Sequence, residues 1–169
     1  MNPVLAAWND SDAVAARDAM LACCGARHWA DAMVAMRPIA SIAHLSEEAD
    51  RLWATMSEAD WLEAFACHPR IGERKAVHSP SQSGTWSRQE QAKAATAQDR
   101  ILAALAEGNA RYEERFGFTY IVCATGKSAE EMLAILERRL GSSRDAELRE
   151  AAEQQRQILQ IRLEKWLSS

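Results

Sequence analysis

The chain has 169 residues, of which 48% are apolar and 26% charged, with a formal net charge of −4. That is enough for one ordinary core and gives the balance of a soluble globular protein. The slight acidic excess, without a basic block, argues against a nucleic-acid partner, and no apolar run approaches the ~20 residues that span a bilayer.

The first helix is expected over residues 12–24, after Asn9, Asp10 and Ser11, which suit a helix start, and Gly25 stops it. A short helix over 29–36 ends before Pro38. A third opens near Ser41, with Ile42, Leu45, Leu52, Trp53 and Met56 in its apolar stripe. Ser57 with Asp60 three residues on resembles a capping arrangement for a fourth, which carries Trp61, Leu62 and Phe65.

That fourth helix runs into Cys67-His68-Pro69-Arg70-Ile71-Gly72-Glu73. Proline keeps the residue before it out of the helical region, so His68 stands on an extended corner where the helix stops. Gly72 permits backbone that larger residues resist. A stiffly held imidazole can trade protons near neutral pH, and equally it can cap the last carbonyls of the helix.

Residues 74–86 read as a long loop containing His78. Ser87-Arg88-Gln89-Glu90 is a capping box for a long helix to about residue 115, which Gly108 and Asn109 weaken in the middle and Gly117 ends. Glu90 either closes that box or, with the free amides of the helix start, meets a ligand. The run Phe118-Thr119-Tyr120-Ile121-Val122-Cys123-Ala124 is β-prone but has no partner strand, so it is expected as a buried extended segment whose peptide groups bond elsewhere. It could also wall a ligand pocket. Ser128 and Glu131 form another capping box for a helix to residue 140, and a last helix runs to about residue 167. On it Arg162 falls in the stripe of Leu148, Ala152, Gln155, Leu159 and Trp166. Such an arginine snorkels to water or aims its fork at a carboxylate.

The expected fold is all-α: one domain over 1–169, of seven or eight helices with one buried extended segment. The four cysteines, at 23, 24, 67 and 123, lack zinc-finger spacing and are expected to be reduced. The start, Met1-Asn2-Pro3-Val4, does not look like a secretion signal, nor the end, Trp166-Leu167-Ser168-Ser169, like a peroxisomal address, so a cytoplasmic location is expected. A zinc site could be imagined from His68, His78, Glu73 and Glu90, but no helical His pair supports it. A helical protein-binding module without an active site would share the capping boxes and stripes.

Four motifs in order resemble one family. Residues 61–72, Trp-Leu-Glu-Ala-Phe-Ala-Cys-His-Pro-Arg-Ile-Gly, look like the HPxxG signature of 2-oxo-4-hydroxy-4-carboxy-5-ureidoimidazoline (OHCU) decarboxylases. Glu90-Gln91, then Phe116-Gly117-Phe118 through Ile121-Val122-Cys123-Ala124, and Glu147-Leu148 through Ile161-Arg162-Leu163 resemble the family's later segments. The resemblance implies an all-α enzyme that converts OHCU to (S)-allantoin and carbon dioxide in urate degradation, with no metal and no organic cofactor. It implies His68 and Glu90 as catalytic residues and Arg162 as the arginine that holds substrate. Substrate contacts would fall to Pro69, Ser87, Gln91 and the backbone of Ile121, Val122, Cys123, Ala124 and Thr125. A homodimer is expected, for which the six tryptophans leave ample apolar surface. Arg70-Ile71 stands where many members have Asp-Leu, and the 74–86 loop departs from the family pattern.

Overall fold

The structure, a computed structural model, describes residues 1–72 and 88–169, with the backbone alone for 88–95. The 74–86 loop lies outside the described residues with Glu73, His78 and Ser87, as do the side chains of Glu90 and Gln91. Among the described residues there are eight helices and no strand: α1 (Pro3–Asp10), α2 (Ala13–Cys23), α3 (Arg27–Ala35), α4 (Ile42–Thr55), α5 (Glu58–Ala66), α6 (Arg88–Phe116), α7 (Ala129–Arg139) and α8 (Arg144–Leu167). None of these is long and apolar enough to cross a membrane. The all-α expectation holds. The helices fall into two compact units, Met1–Cys67 with Glu150–Ser169, and His68–Arg149.

The first unit starts with a helix the sequence reading missed. Asn2 caps α1, its Oδ1 accepting from the amides of Val4 and Leu5, and Pro3 opens the helix where a missing N–H does no harm. Leu5 and Trp8 are its buried residues. Asp12 and Ser41 cap α2 and α4, and Ser57 with Asp60 completes a capping box at α5. The tryptophans then pin helices to one another. Buried indoles need a partner for their N–H, and Trp8, Trp29 and Trp53 use the carbonyls of Ala16, Ala49 and Ala152, as the half-buried Trp61 uses that of Trp53, at 2.9 to 3.1 Å. The C-terminal part of α8 packs its stripe inward, with Ala152, Gln155 and Leu159 buried.

The second unit is built on α6 and α7. Leu136 of α7 comes so close to Gly108 that a Cβ there would stand 2.6 Å from its Cδ2. Glycine in a helix interior is a liability of about 1 kcal/mol, and here it leaves room for the Leu136 side chain. The helix ends at Gly117 (φ +82°), whose amide bonds back to the Glu113 carbonyl at 2.8 Å. Tyr112, Phe116, Phe118 and Tyr120 then stack as a cluster with centroids 4.6 to 6.3 Å apart.

At its centre lies an ion pair that the sequence did not reveal. Arg139 and Glu147 are 3% and 2% exposed. Arg139 donates through Nε to Glu147 Oε2 at 2.9 Å, through Nη1 to the Ile121 carbonyl at 2.6 Å and through Nη2 to the Tyr112 hydroxyl at 3.4 Å. Tyr112 in turn donates to Glu147. The guanidinium also lies over the rings of Tyr120 and Tyr112, at 4.9 and 5.8 Å. Burial pushes the Tyr120 phenol up to about 12.

Two expectations follow. Removing one partner of a buried pair strands the other charge, so Arg139→Met should lower stability in urea unfolding by about 3–5 kcal/mol, with Arg139→Met/Glu147→Leu losing less than the two singles summed. None of the four thiols is in a disulfide, and only that of Cys67 is exposed. Burial raises Cys23 to about 11 and Cys24 to about 12, against a weaker pull downward from Arg162 on both and from a backbone hydrogen bond on Cys24. Since the thiolate is the reactive form, native protein at pH 8 should take up iodoacetamide at Cys67 alone by peptide mass mapping, with the other three labelled only in denaturant.

Candidate functional site

His68 follows directly from the end of α5. Cys67 is the C-cap, with its amide on the carbonyls of Ala64 and Phe65, and the chain then leaves the helix in an irregular corner. His68 is half-buried and Pro69 exposed. Two devices on the next residues hold the corner to α6. Arg70 Nε donates to Glu113 Oε1 at 2.8 Å. Gly72 (φ +88°) lies flat against α6, where a Cβ would meet the Leu102 carbonyl oxygen at 3.0 Å and the Ala106 nitrogen at 3.1 Å. Both its conformation and its surroundings call for glycine.

Glu90 and Gln91 are the third and fourth residues of α6, in its first turn. The helix therefore begins where the Ser-x-x-Glu box places it, while the bonds of that box fall outside the described residues.

The segment after α6 is non-helical and, among the described residues, pairs with no strand, as expected. Ile121 and Cys123 are buried, Val122 is half-buried, and Ala124 and Thr125 are exposed. Its peptide groups do find partners elsewhere. The Tyr120 amide donates to Asn109 Oδ1 at 2.9 Å, the Ile121 carbonyl accepts from Arg139, and the Cys123 carbonyl accepts from Lys127 Nζ at 2.8 Å. The Ala124 carbonyl takes the Lys127 amide at 3.0 Å. Side chains from α6, from α7 and from Lys127 just before α7 thus do the work of a neighbouring strand.

His68, the start of α6 and residues 121–125 belong to the second unit, and Arg162 belongs to the first. Arg162 is half-buried on α8 and donates through Nη1 to the Cys23 carbonyl at 3.3 Å. Cys23 is the last residue of α2, so the guanidinium sits at the negative end of that helix, where a cation is favoured. One of its five donors is engaged there. Arg162 therefore turns inward, as its place in the stripe suggests, rather than lying wholly in solvent.

Three residues near these groups escaped the sequence reading: Asn109, Glu113 and Arg139. Asn109, 1% exposed, binds Thr119 Oγ1 at 3.3 Å besides the Tyr120 amide. Its signal was present as a poor helix former in mid-helix. Glu113 and Arg139 gave none, since each is an ordinary helix-surface residue type. Among the described residues no group of three His, Cys, Asp or Glu side chains is placed to hold a metal ion.

Comparison with known proteins places this arrangement. A family model for OHCU decarboxylase matches residues 9–164. The chain is 35% identical over 147 residues to the uric acid degradation bifunctional protein TTL of Arabidopsis thaliana, covering 86% of this chain and 45% of the relative. It is 33% identical over 98 residues to the OHCU decarboxylase of Amia calva, covering 58% of this chain and 56% of that protein. The chain thus spans about half the length of these two curated relatives. A crystal structure of OHCU decarboxylase in the presence of (S)-allantoin superposes with a TM-score of 0.73 at 31% identity, over 90% of this chain and 99% of that one. With the family model spanning most of its length, this chain belongs to the OHCU decarboxylase family.

Proposed function

We propose that this chain decarboxylates OHCU to (S)-allantoin and carbon dioxide. The observation that carries the reading is the close structural likeness, over nearly the whole of both chains, to an OHCU decarboxylase crystallised with (S)-allantoin. The relatives' names add uric acid degradation as the setting.

The chemistry fits the residue types on offer. When the carboxylate leaves, the electron pair of the broken bond stays on the ring carbon, and the adjoining imine and carbonyl system delocalises it. The substrate carries its own electron sink. What remains for the protein is to hold the departing carboxylate out of the ring plane and deliver a proton to one face. We assign the proton transfers, and the contact with the substrate hydroxyl, to His68 and Glu90. A positioned acid–base group contributes ~10²–10⁴-fold. Arg162 orients an anionic or carbonyl group of the substrate with the planar fork that suits it. Pro69, Ser87, Gln91 and the backbone of Ile121 to Thr125 are assigned to binding. Val122 is half-buried and Ala124 and Thr125 are exposed, which leaves this stretch open to a ligand and supports that last assignment.

The same reading takes residues 1–169 as one functional domain, acting in the cytoplasm as a homodimer. Light scattering at micromolar concentration should return twice the 18.8 kDa chain mass. A monomeric mass would remove the dimer from the proposal.

The central test follows enantiomer formation by circular dichroism from freshly generated OHCU, whose unaided breakdown gives racemic and therefore silent product. The wild-type chain should build an (S)-allantoin signal. His68→Asn and Glu90→Gln should each fall by at least ~100-fold with near-native melting temperatures. A wild-type chain that yields only silent product defeats the reading. A Glu90→Gln variant with full stereospecific activity would reduce Glu90 to a helix cap, since glutamine keeps the capping bond.

A further inference from the structure

The His68 corner and the 119–121 backbone are tied together through two side chains of α6. Arg70, two residues beyond His68, donates to Glu113 Oε1 at 2.8 Å. Asn109, one turn earlier on the same helix face, reaches the same oxygen through Nδ2 at 3.4 Å. Asn109 Oδ1 then accepts from the Tyr120 amide at 2.9 Å and the Thr119 hydroxyl at 3.3 Å. The chain of bonds runs from the histidine corner to the residue before Ile121 without leaving the second unit.

The surroundings show why such a tie would matter. A cleft of about 590 Å³ opens here, with Arg70, Ile71, Asn109 and Glu113 in its lining. The Arg70 hydrogen bond and the close approach of Gly72 tie this side of the corner to α6. The Arg70 hydrogen bond holds the Glu113 carboxyl below the usual carboxylate range, against a weaker push from burial, with Thr119 and Asn109 adding to the pull. The carboxylate stays charged at neutral pH and keeps its donors.

We propose that Glu113 is a positioning residue for the decarboxylation, setting the distance between the His68 corner and the 119–125 wall through Arg70 and Asn109. The proposal rests on the OHCU reading above. It concerns geometry and not fold stability. A half-exposed ion pair contributes little to stability, whereas displacing a reacting group by about 1 Å can lower a rate by up to about 100-fold.

Glu113→Ala should therefore lower kcat by about 10- to 100-fold, with KM within about threefold and the melting temperature within a few degrees of wild type. Arg70→Ala should lose a similar factor, and the double variant no more than the worse single, because both cut one tie. Glu113→Gln should restore most of kcat, since its amide oxygen still accepts from Arg70 and Asn109. Hydrogen exchange at the Tyr120 amide should quicken in Glu113→Ala, a readout independent of activity. Wild-type kcat in Glu113→Ala, losses that multiply in the double variant, or unchanged Tyr120 exchange would each overturn the tie. The two readings fail separately. If the wild-type chain forms no (S)-allantoin above background, the OHCU reading falls and the positioning role with it. If wild type is active and His68→Asn is not, while Glu113→Ala keeps full kcat, only the tie is lost.

Discussion

A guanidinium buried at 3% exposure is tolerable only if its charge and its donors are met, and meeting those of Arg139 organises the second unit. Three of its nitrogens reach Glu147, the Ile121 carbonyl and the Tyr112 hydroxyl. These partners come from the start of α8, the extended segment and α6, while Arg139 itself ends α7. One side chain thus fixes four pieces of chain against each other. The Ile121 carbonyl benefits most, because no strand is there to take it and a bond from a charged donor is stronger than one from a neutral amide. The extended segment exists in this form because the cation supplies what a sheet would have supplied.

The long helix α6 serves the same end from the other side. Gly108 and Asn109 are adjacent poor helix formers in its middle, and each has a separate structural reason. Gly108 lets Leu136 approach. Asn109 turns its amide to the neighbouring segment, satisfying the Tyr120 N–H where water cannot reach. A buried unpaired amide would cost about 1–3 kcal/mol, more than the helix loses by carrying asparagine. The local weakness is therefore stabilising once tertiary bonds are counted.

Much of this was legible in the sequence because local rules govern it. The capping boxes at Ser57 and Ser128 form as written, and Gly117 ends α6 in the conformation that favours glycine. The 118–124 run was recognisable as a non-helical segment without a neighbouring strand among the described residues. The α1 helix was missed because eight residues with two buried side chains give little periodicity, although Asn2-Pro3 is a good start signal. Arg139 was invisible for a different reason. A basic residue in a last helical turn reads as a partner for the helix dipole, and only its α8 and segment neighbours show it to be interior. The same holds for the Arg70 and Glu113 pair, 43 residues apart in the chain. Pairing across that span is a product of the fold and leaves no trace in spacing.

Helices satisfy their own backbone and leave little chemistry along their length, so functional groups in an all-α protein come from ends and breaks. His68 at the end of α5, Glu90 in the first turn of α6, and the wall between α6 and α7 all obey this on the proposed reading. Arg162 is the exception, since it projects from the interior of α8. Its bond to the Cys23 carbonyl gives that exception a physical basis. Long side chains carry large rotamer entropy, and an arginine free in solution would lose it on meeting substrate. An arginine already leaning on the last carbonyl of α2 has lost part of that freedom on folding. On the proposed reading, binding would draw on a fork whose direction is partly set, which is the advantage of preorganisation. On that reading the Cys23 carbonyl is the anchor of the Arg162 guanidinium and the remaining donors are the hand that would meet substrate.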